Sequence, residues 1–269
     1  MPPKTREIKF GKNTFRIAET KSGFQGIVVG DSQARFAAED QSSLLSKLTQ
    51  HVLQQDASFI GFDGARNRFL KLFPEGFSDP EFIGSKSEGE LFYKRDMASW
   101  LCAEAPLQQT IDGAVDGLTI LRAFQRTNLV DSHTKPKLST VLKGEKANRL
   151  IEILARFANG EIQWACESLG REFADDGVAT WPVLTYLAFF WRPEEHAFLK
   201  PEFTKEYSRR VGHHFVYEYS SKPDSGTYFA LLDMLDETRK HVLDLGPSDY
   251  IDLHSFMWAV SMYKDTDTT

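Results

Sequence analysis

The chain has 269 residues, of which 41% are hydrophobic, 26% charged and 13% aromatic, with 21 Phe and a formal net charge of -6. That length can bury a core as one large domain or two small ones, and the negative balance argues against a protein that coats nucleic acid non-specifically while leaving room for a local basic face. No apolar run approaches the roughly 20 residues of a bilayer-spanning helix, the charged start "MPPKTREIKF" lacks the apolar centre of a signal peptide, and Cys102 and Cys166, far apart, make neither a disulfide framework nor a thiolate zinc site, so the expectation is a soluble cytoplasmic protein with no membrane partner.

The first 56 residues read as strands closed by a helix. "EIKFG", "NTFRIAE", "FQGIVVG" and "ARFAAE" are short, rich in β-formers and separated by "GKN", "TKSG" and "GDSQ". Residues 41–54 then place Leu44, Leu45, Leu48, Val52 and Leu53 at helical spacing. One helix is small cover for a sheet face, so this part is expected to dock on the remainder of the chain. Residues 57–90 read as a long Phe- and Gly-rich connection, of the kind that is functional or partly helical. Within it "ARNRFLKLF" predicts two helical turns carrying Arg66, Arg68 and Lys71 among Phe69 and Phe73.

From residue 91 to 269 the pattern is helical, with about seven helices expected. "KLSTVLKGEKANRLIEILARFANG" lays Leu138, Val141, Leu142, Leu150, Ile151, Leu154 and Phe157 on one broad face. "VATWPVLTYLAFFW" is apolar all round and reads as buried. "HHFVYEY" reads as a strand or extended loop, and two last helices come after it, the second with Ser248 as its expected N-cap. The predicted architecture is α+β with segregated elements: an N-terminal antiparallel β-meander with one helix, then a mostly α-helical body.

The usual chemical signatures are missing. There is no G-x-G-x-x-G after a strand, no phosphate-binding loop of Walker type, no G-x-S-x-G elbow and no kinase set. None of the seven histidines forms H-E-x-x-H, and the adjacent His213 and His214 are expected to point to different sides of any regular element. No metal and no cofactor are therefore expected. What remains is carboxylates, lysines and aromatics. Asp252, in "GPSDYIDLHSFMW", complements a helix dipole on the plain reading; beside Tyr250, Phe256 and Trp258 it also suits a general base or the stabilisation of a cationic sugar. Lys200, before Pro201, lays its stem on apolar surface on the plain reading. Pro201 suits the first position of a helix, which puts Lys200 at the N-cap, where an anion is attracted; there the lysine can clamp phosphate or, desolvated, act as an amine nucleophile. The run 135–149 carries Lys135, Lys137, Lys143, Lys146 and Arg149 against one Glu. With Arg66, Arg68 and Lys71, and with Lys94 and Arg95 of "YKRDMASWL", these cations read either as solvated helix flanks or as a groove for a nucleic-acid backbone. Trp181, Tyr186, Phe189, Phe190 and Trp191 read mainly as core, with a minority free to stack a flat ligand such as a flipped base.

The residues "TWPVLTYLAFFWRPEEHAFLKPEFTK", "DYIDLHSFMWAV" and "GARNRFLKLFPEGFSDPEF" together resemble a bacterial family of phage-defence DNA glycosylases that remove glucosylated hydroxymethylcytosine. The resemblance covers the C-terminal third and that one upstream segment, and the chain lacks the helix–hairpin–helix signal of many repair proteins. It implies double-stranded, modified DNA as partner and cleavage of an N-glycosidic bond to leave an abasic site. Asp252 and Lys200 would then be catalytic, Trp181, Tyr250 and Trp258 would form the base pocket, and Arg66, Arg68, Lys71, Lys137, Lys143 and Lys146 would hold the DNA backbone. The competing expectation is a non-enzymatic nucleic-acid- or protein-binding component of a bacterial defence or regulatory system.

Overall fold

A computed structural model of the chain describes residues 5–10, 13–85 and 89–264. Strands β1 (Thr5–Phe10), β2 (Asn13–Thr20), β3 (Gly23–Val28) and β4 (Arg35–Ala38) pair antiparallel in the order β1-β2-β3-β4. The Gly11–Lys12 turn read from "GKN" lies outside the described residues. Alternation sets the faces: Phe15 and Ile17 are each 1% exposed, while Arg16 between them points out and pairs at 2.7 Å with Glu7 directly opposite. Helix α1 (Gln41–Gln54) starts where the Asp40 carboxylate accepts the Ser43 N–H, and it lays Leu44, Leu48 and Val52 on the sheet. A Cβ on Gly26 of β3 would stand 2.9 Å from Leu48 Cδ1, so the missing side chain is what lets the helix approach. The sheet thus closes a small core with its own helix. It meets the rest through Phe10 stacked on Tyr217, ring centroids 3.6 Å apart, at the edge of a groove of about 920 Å³.

The expected connection 57–90 folds largely into the body. It contains α2 (Gly61–Leu72), a single 3-10 turn (Gly76–Ser78) and α3 (Pro80–Ile83). Phe69, Phe73, Phe77 and Phe82 pack tilted or edge to face, with centroids 4.9 to 5.8 Å apart, inside the main core. A Phe-rich segment gains more by burying its rings than by remaining an exposed loop.

The rest of the body is α4 (Phe92–Glu104), α5 (Leu107–Ile111), α6 (Gly117–Gln125), α7 (Thr134–Leu142), α8 (Ala147–Ala158), α9 (Ile162–Phe173), α10 (Trp181–Trp191), α11 (Pro201–Val211), α12 (Phe215–Glu218), α13 (Ser225–His241) and α14 (Tyr250–Met262). These are more numerous and shorter than the seven expected. The basic run 135–149, for example, breaks between α7 and α8 at Gly144. Ten of the eleven residues of α10 are buried, which makes it an axis of the body, packed on α4 and α8. Helix α14 is buried on nearly every side against α2, α11 and α13.

Three local expectations change. The last helix is capped by Asp249, whose carboxylate accepts the Ile251 and Asp252 N–H groups, and not by Ser248. "HHFVYEY" yields the short helix α12 instead of a strand. His213 and His214 occupy the turn before it and face the same way, with ring centroids 4.1 Å apart, because an irregular turn does not obey strand or helix alternation. No helix among the described residues is long and apolar enough to cross a membrane.

Candidate functional site

The start of α4, the loop after α6, the N-terminus of α11 and one face of α14 enclose a cavity of about 400 Å³. Helix α4 brings Tyr93 and Lys94, with Glu90 just before it. Helix α14 brings His254 and Trp258, one helical turn apart and therefore on the same face. Lys200, at the N-cap position of α11, lines the same space with its backbone extended (φ -112°, ψ 106°) ahead of Pro201.

Lys94 is the least expected of these residues, because its side chain is only 1% exposed. Its Nζ donates to Ser255 Oγ at 2.7 Å and to Glu90 Oε2 at 3.3 Å. Tyr263 Oη in turn donates to Glu90 Oε1 at 3.3 Å. Among the described residues, two of the three ammonium donors are thereby taken. Burial pushes the lysine down to about 8, against the pull of Glu90. The amine therefore remains charged at neutral pH and loses its charge slightly above it.

His254 is also buried, with the Phe189, Phe198 and Phe203 rings at 5.2, 5.5 and 5.0 Å. Neither ring nitrogen has a hydrogen-bond partner among the described residues. Burial, then the positive charges of Lys94 and Lys200, hold its pKa well below the ordinary histidine value, so the ring is neutral. Leaving such a group unpaired costs about 1–3 kcal/mol. A buried imidazole with neither nitrogen paired is uncommon in a folded protein, and here it lies against the cavity. Lys200 is half-buried and its pKa is likewise lowered by burial, with Asp131 opposing the shift.

Hydroxyls hold the frame. Thr127 Oγ1 pairs with Tyr186 Oη at 2.9 Å and accepts the Leu129 N–H, while Lys135 Nζ donates to the Thr127 carbonyl at 2.7 Å. This fixes the loop that presents Arg126 and Asn128 to the cavity. On the other side, the connector leading to Lys200 is pinned by Ala197 N–H to Tyr228 Oη at 3.1 Å and Leu199 N–H to Thr185 Oγ1 at 3.0 Å.

Of the residues singled out from sequence, Lys200 and Trp258 line the cavity and Asp252 does not. Two residues apart on one helix, Asp252 and His254 point about 200° apart. The two carboxylate oxygens of Asp252 accept from Arg95 Nη2 at 2.6 Å and from the Ser248 N–H at 2.7 Å, a structural clamp that Asp249 shares by also pairing with Arg95. The other two base-pocket candidates serve the core as well. Trp181 is 1% exposed and donates Nε1 to the Ser220 carbonyl at 2.8 Å. Tyr250 donates to Asp236 Oδ1 at 2.7 Å under the Arg239 guanidinium.

The backbone-binding candidates do not form one groove in packing terms. Helix α2 packs chiefly on α11, α13 and α14, whereas α7 and α8 pack on each other and on α5, α6, α9 and α10. Arg66 pairs with Asp244 at 2.5 Å, Arg68 donates to the Val260 carbonyl at 3.0 Å, and Lys146 pairs with Asp176 at 2.6 Å. Lys71, Lys137 and Lys143 are exposed. Sequence reasoning missed the cavity roles of Glu90, Tyr93, Lys94, Asn128 and His254. For Lys94 a signal existed, since its i+3 and i+7 neighbours Met97 and Leu101 form the buried stripe of α4.

The cavity thus has aromatic walls in Tyr93, Phe203 and Trp258. It is lined by Lys94, Lys200 and Arg126, the last also paired with Asp96 at 2.9 Å, and by one carboxylate, Glu90. Such a space suits a planar group that develops negative charge. Comparison of the chain with known protein families, curated proteins and solved structures finds no match.

Proposed function

We propose that the protein is a DNA glycosylase and that this cavity receives a modified base turned out of the duplex. One observation carries the reading: a buried, unpartnered His254 and a buried ammonium, Lys94, line an aromatic-walled cavity of about 400 Å³, room enough for a substituted pyrimidine. Tyr93 and Trp258 stack the base. His254 and Lys94 meet its polar edge, where charge builds as the C1′–N bond breaks and the electron pair passes to the base. Glu90, in place of Asp252, faces the sugar. It stabilises the cationic C1′ and takes a proton from the water that adds there, and that proton passes to the departing base. Lys200 and Arg126, nearer solvent, hold the flanking phosphates. The resemblance to phage-defence glycosylases directs the substrate class to bulky modified cytosines of phage DNA.

The test incubates the protein with duplexes containing cytosine, hydroxymethylcytosine or glucosylated hydroxymethylcytosine and scores abasic sites as alkali-labile breaks. Breaks confined to a modified duplex are expected, with their loss in Glu90→Gln. Tight binding of modified DNA with no breaks would replace the enzyme with a recognition module, and no effect on any duplex would end the reading.

A further inference from the structure

The groove between sheet and body gathers a second set of side chains that take no part in the cavity. Helix α11 ends at Gly212 (φ +76°), and the chain turns through His213 and His214 before α12. Helix α13 faces this turn with Asp233, whose Oδ2 lies 3.1 Å from His213 Nε2. Glu218 Oε2 lies 3.7 Å from His214 Nε2. One ligand atom from each of His213, His214 and Asp233 falls within 4.8 Å of the others. Two adjacent imidazoles converging on a carboxylate is an uncommon arrangement, because neighbouring residues of a regular element diverge.

We propose that His213, His214 and Asp233 bind a borderline divalent cation of the zinc class, with Glu218 or water completing the shell on the groove side. Two neutral imidazoles and one carboxylate match the donor preference of Zn²⁺, while an oxygen-seeking cation such as Mg²⁺ finds too few carboxylates here. The bound ion would staple the turn between α11 and α12 to α13, directly beside Tyr217, on which the sheet's Phe10 rests.

The geometry also sets the strength. His213 Nδ1 accepts the Phe215 N–H at 3.2 Å, so the neutral ring carries its proton on Nε2, facing Asp233. Metal on Nε2 moves that proton to Nδ1, and the Phe215 amide must then turn away from it. Gly212, in the left-handed region, opens the turn that carries this amide. This rearrangement makes the site weaker than a preformed zinc site.

The experiment titrates metal-stripped full-length protein with Zn²⁺ against a chromogenic chelator near neutral pH and repeats it with Mg²⁺. One equivalent of Zn²⁺, with no Mg²⁺ uptake, is expected. His214→Ala, at a half-exposed position that spares the core, should weaken binding at least ten-fold, and Asp233→Asn several-fold. His241→Ala, on the same groove but outside the cluster, should leave it within two-fold. Thermal melting of each variant confirms folding. Zinc uptake unchanged in a His213→Ala/His214→Ala variant, or equal loss in His241→Ala, would overturn the assignment, as would the absence of uptake in the unaltered protein. None of these outcomes depends on excision of a base.

Discussion

The cavity under α14 and the groove beneath the sheet both collect histidine, carboxylate and cation, yet they are built in opposite ways. Three of the cavity's groups, Lys94, His254 and Trp258, project from within helices packed on their neighbours. His254 is boxed by three phenylalanine rings. The groove's histidines come from a turn that starts at a glycine, and they face a helix side open to solvent. A rigid site carries unsatisfied polar groups permanently, which costs stability and suits transition-state chemistry. A pliant one satisfies its groups within the protein and rearranges when a ligand arrives.

Lys94→Met should break this contrast most severely. It removes one of the cavity's cations and leaves Glu90 without its partner, so the proposed excision should fall at least about 100-fold and unfolding free energy by about 3 kcal/mol; single-turnover kinetics and denaturant titration measure both. In the unaltered protein, excision should decline as pH rises through about 8, where Lys94 loses its proton. His254→Leu separates the two properties. Excision should again fall about 100-fold, but stability should rise by about 1–2 kcal/mol because two unpaired nitrogens leave the core.

The same substitution should flatten the acid side of the stability profile. His254 has a lowered pKa when folded and an ordinary one, about 6.5, when unfolded. Below that value the unfolded chain binds the extra proton, so stability is lost as pH falls and is retained above it. Asp252→Asn should do the converse of His254→Leu. It loosens the Arg95 clamp at a cost of about 1–2 kcal/mol and leaves single-turnover excision within about three-fold, since the carboxylate does not face the cavity. Lys200→Ala should raise the KM for DNA about ten-fold with stability unchanged within about 0.5 kcal/mol. Arg66→Ala, at an exposed pair, should leave the denaturation midpoint unchanged in the same titration.

The strands, α1, the buried α10 and the Pro201 start of α11 were legible because alternation, helical spacing and proline placement are local signals. The cavity was legible only where such a signal pointed at it, as with Lys200 at its helix entrance. Trp258 was found by its closeness to Asp252 in sequence, although the two sit on different faces of α14. Asp252 could not be placed from sequence because an acid in a first helical turn looks alike whether it meets solvent, substrate or an arginine from another helix. Its partner Arg95 is 157 residues away, a pairing that periodicity cannot show. His254 stayed hidden because α14 is buried on nearly every side, so its hydrophobic pattern has no polar face against which a histidine stands out. The convergence of His213 and His214 depends on a turn conformation that their adjacency argued against.

The connector that carries Lys200 has one more consequence. Residues 196–200 are a loop by backbone geometry, yet Ala197 and Leu199 give their amide hydrogens to buried side-chain hydroxyls of Tyr228 and Thr185. Those bonds open only when the connector itself leaves α10 and α13. In hydrogen–deuterium exchange the Ala197 and Leu199 amides should therefore exchange as slowly as amides of the buried helices. A segment without secondary structure would then be protected like the helices that flank it.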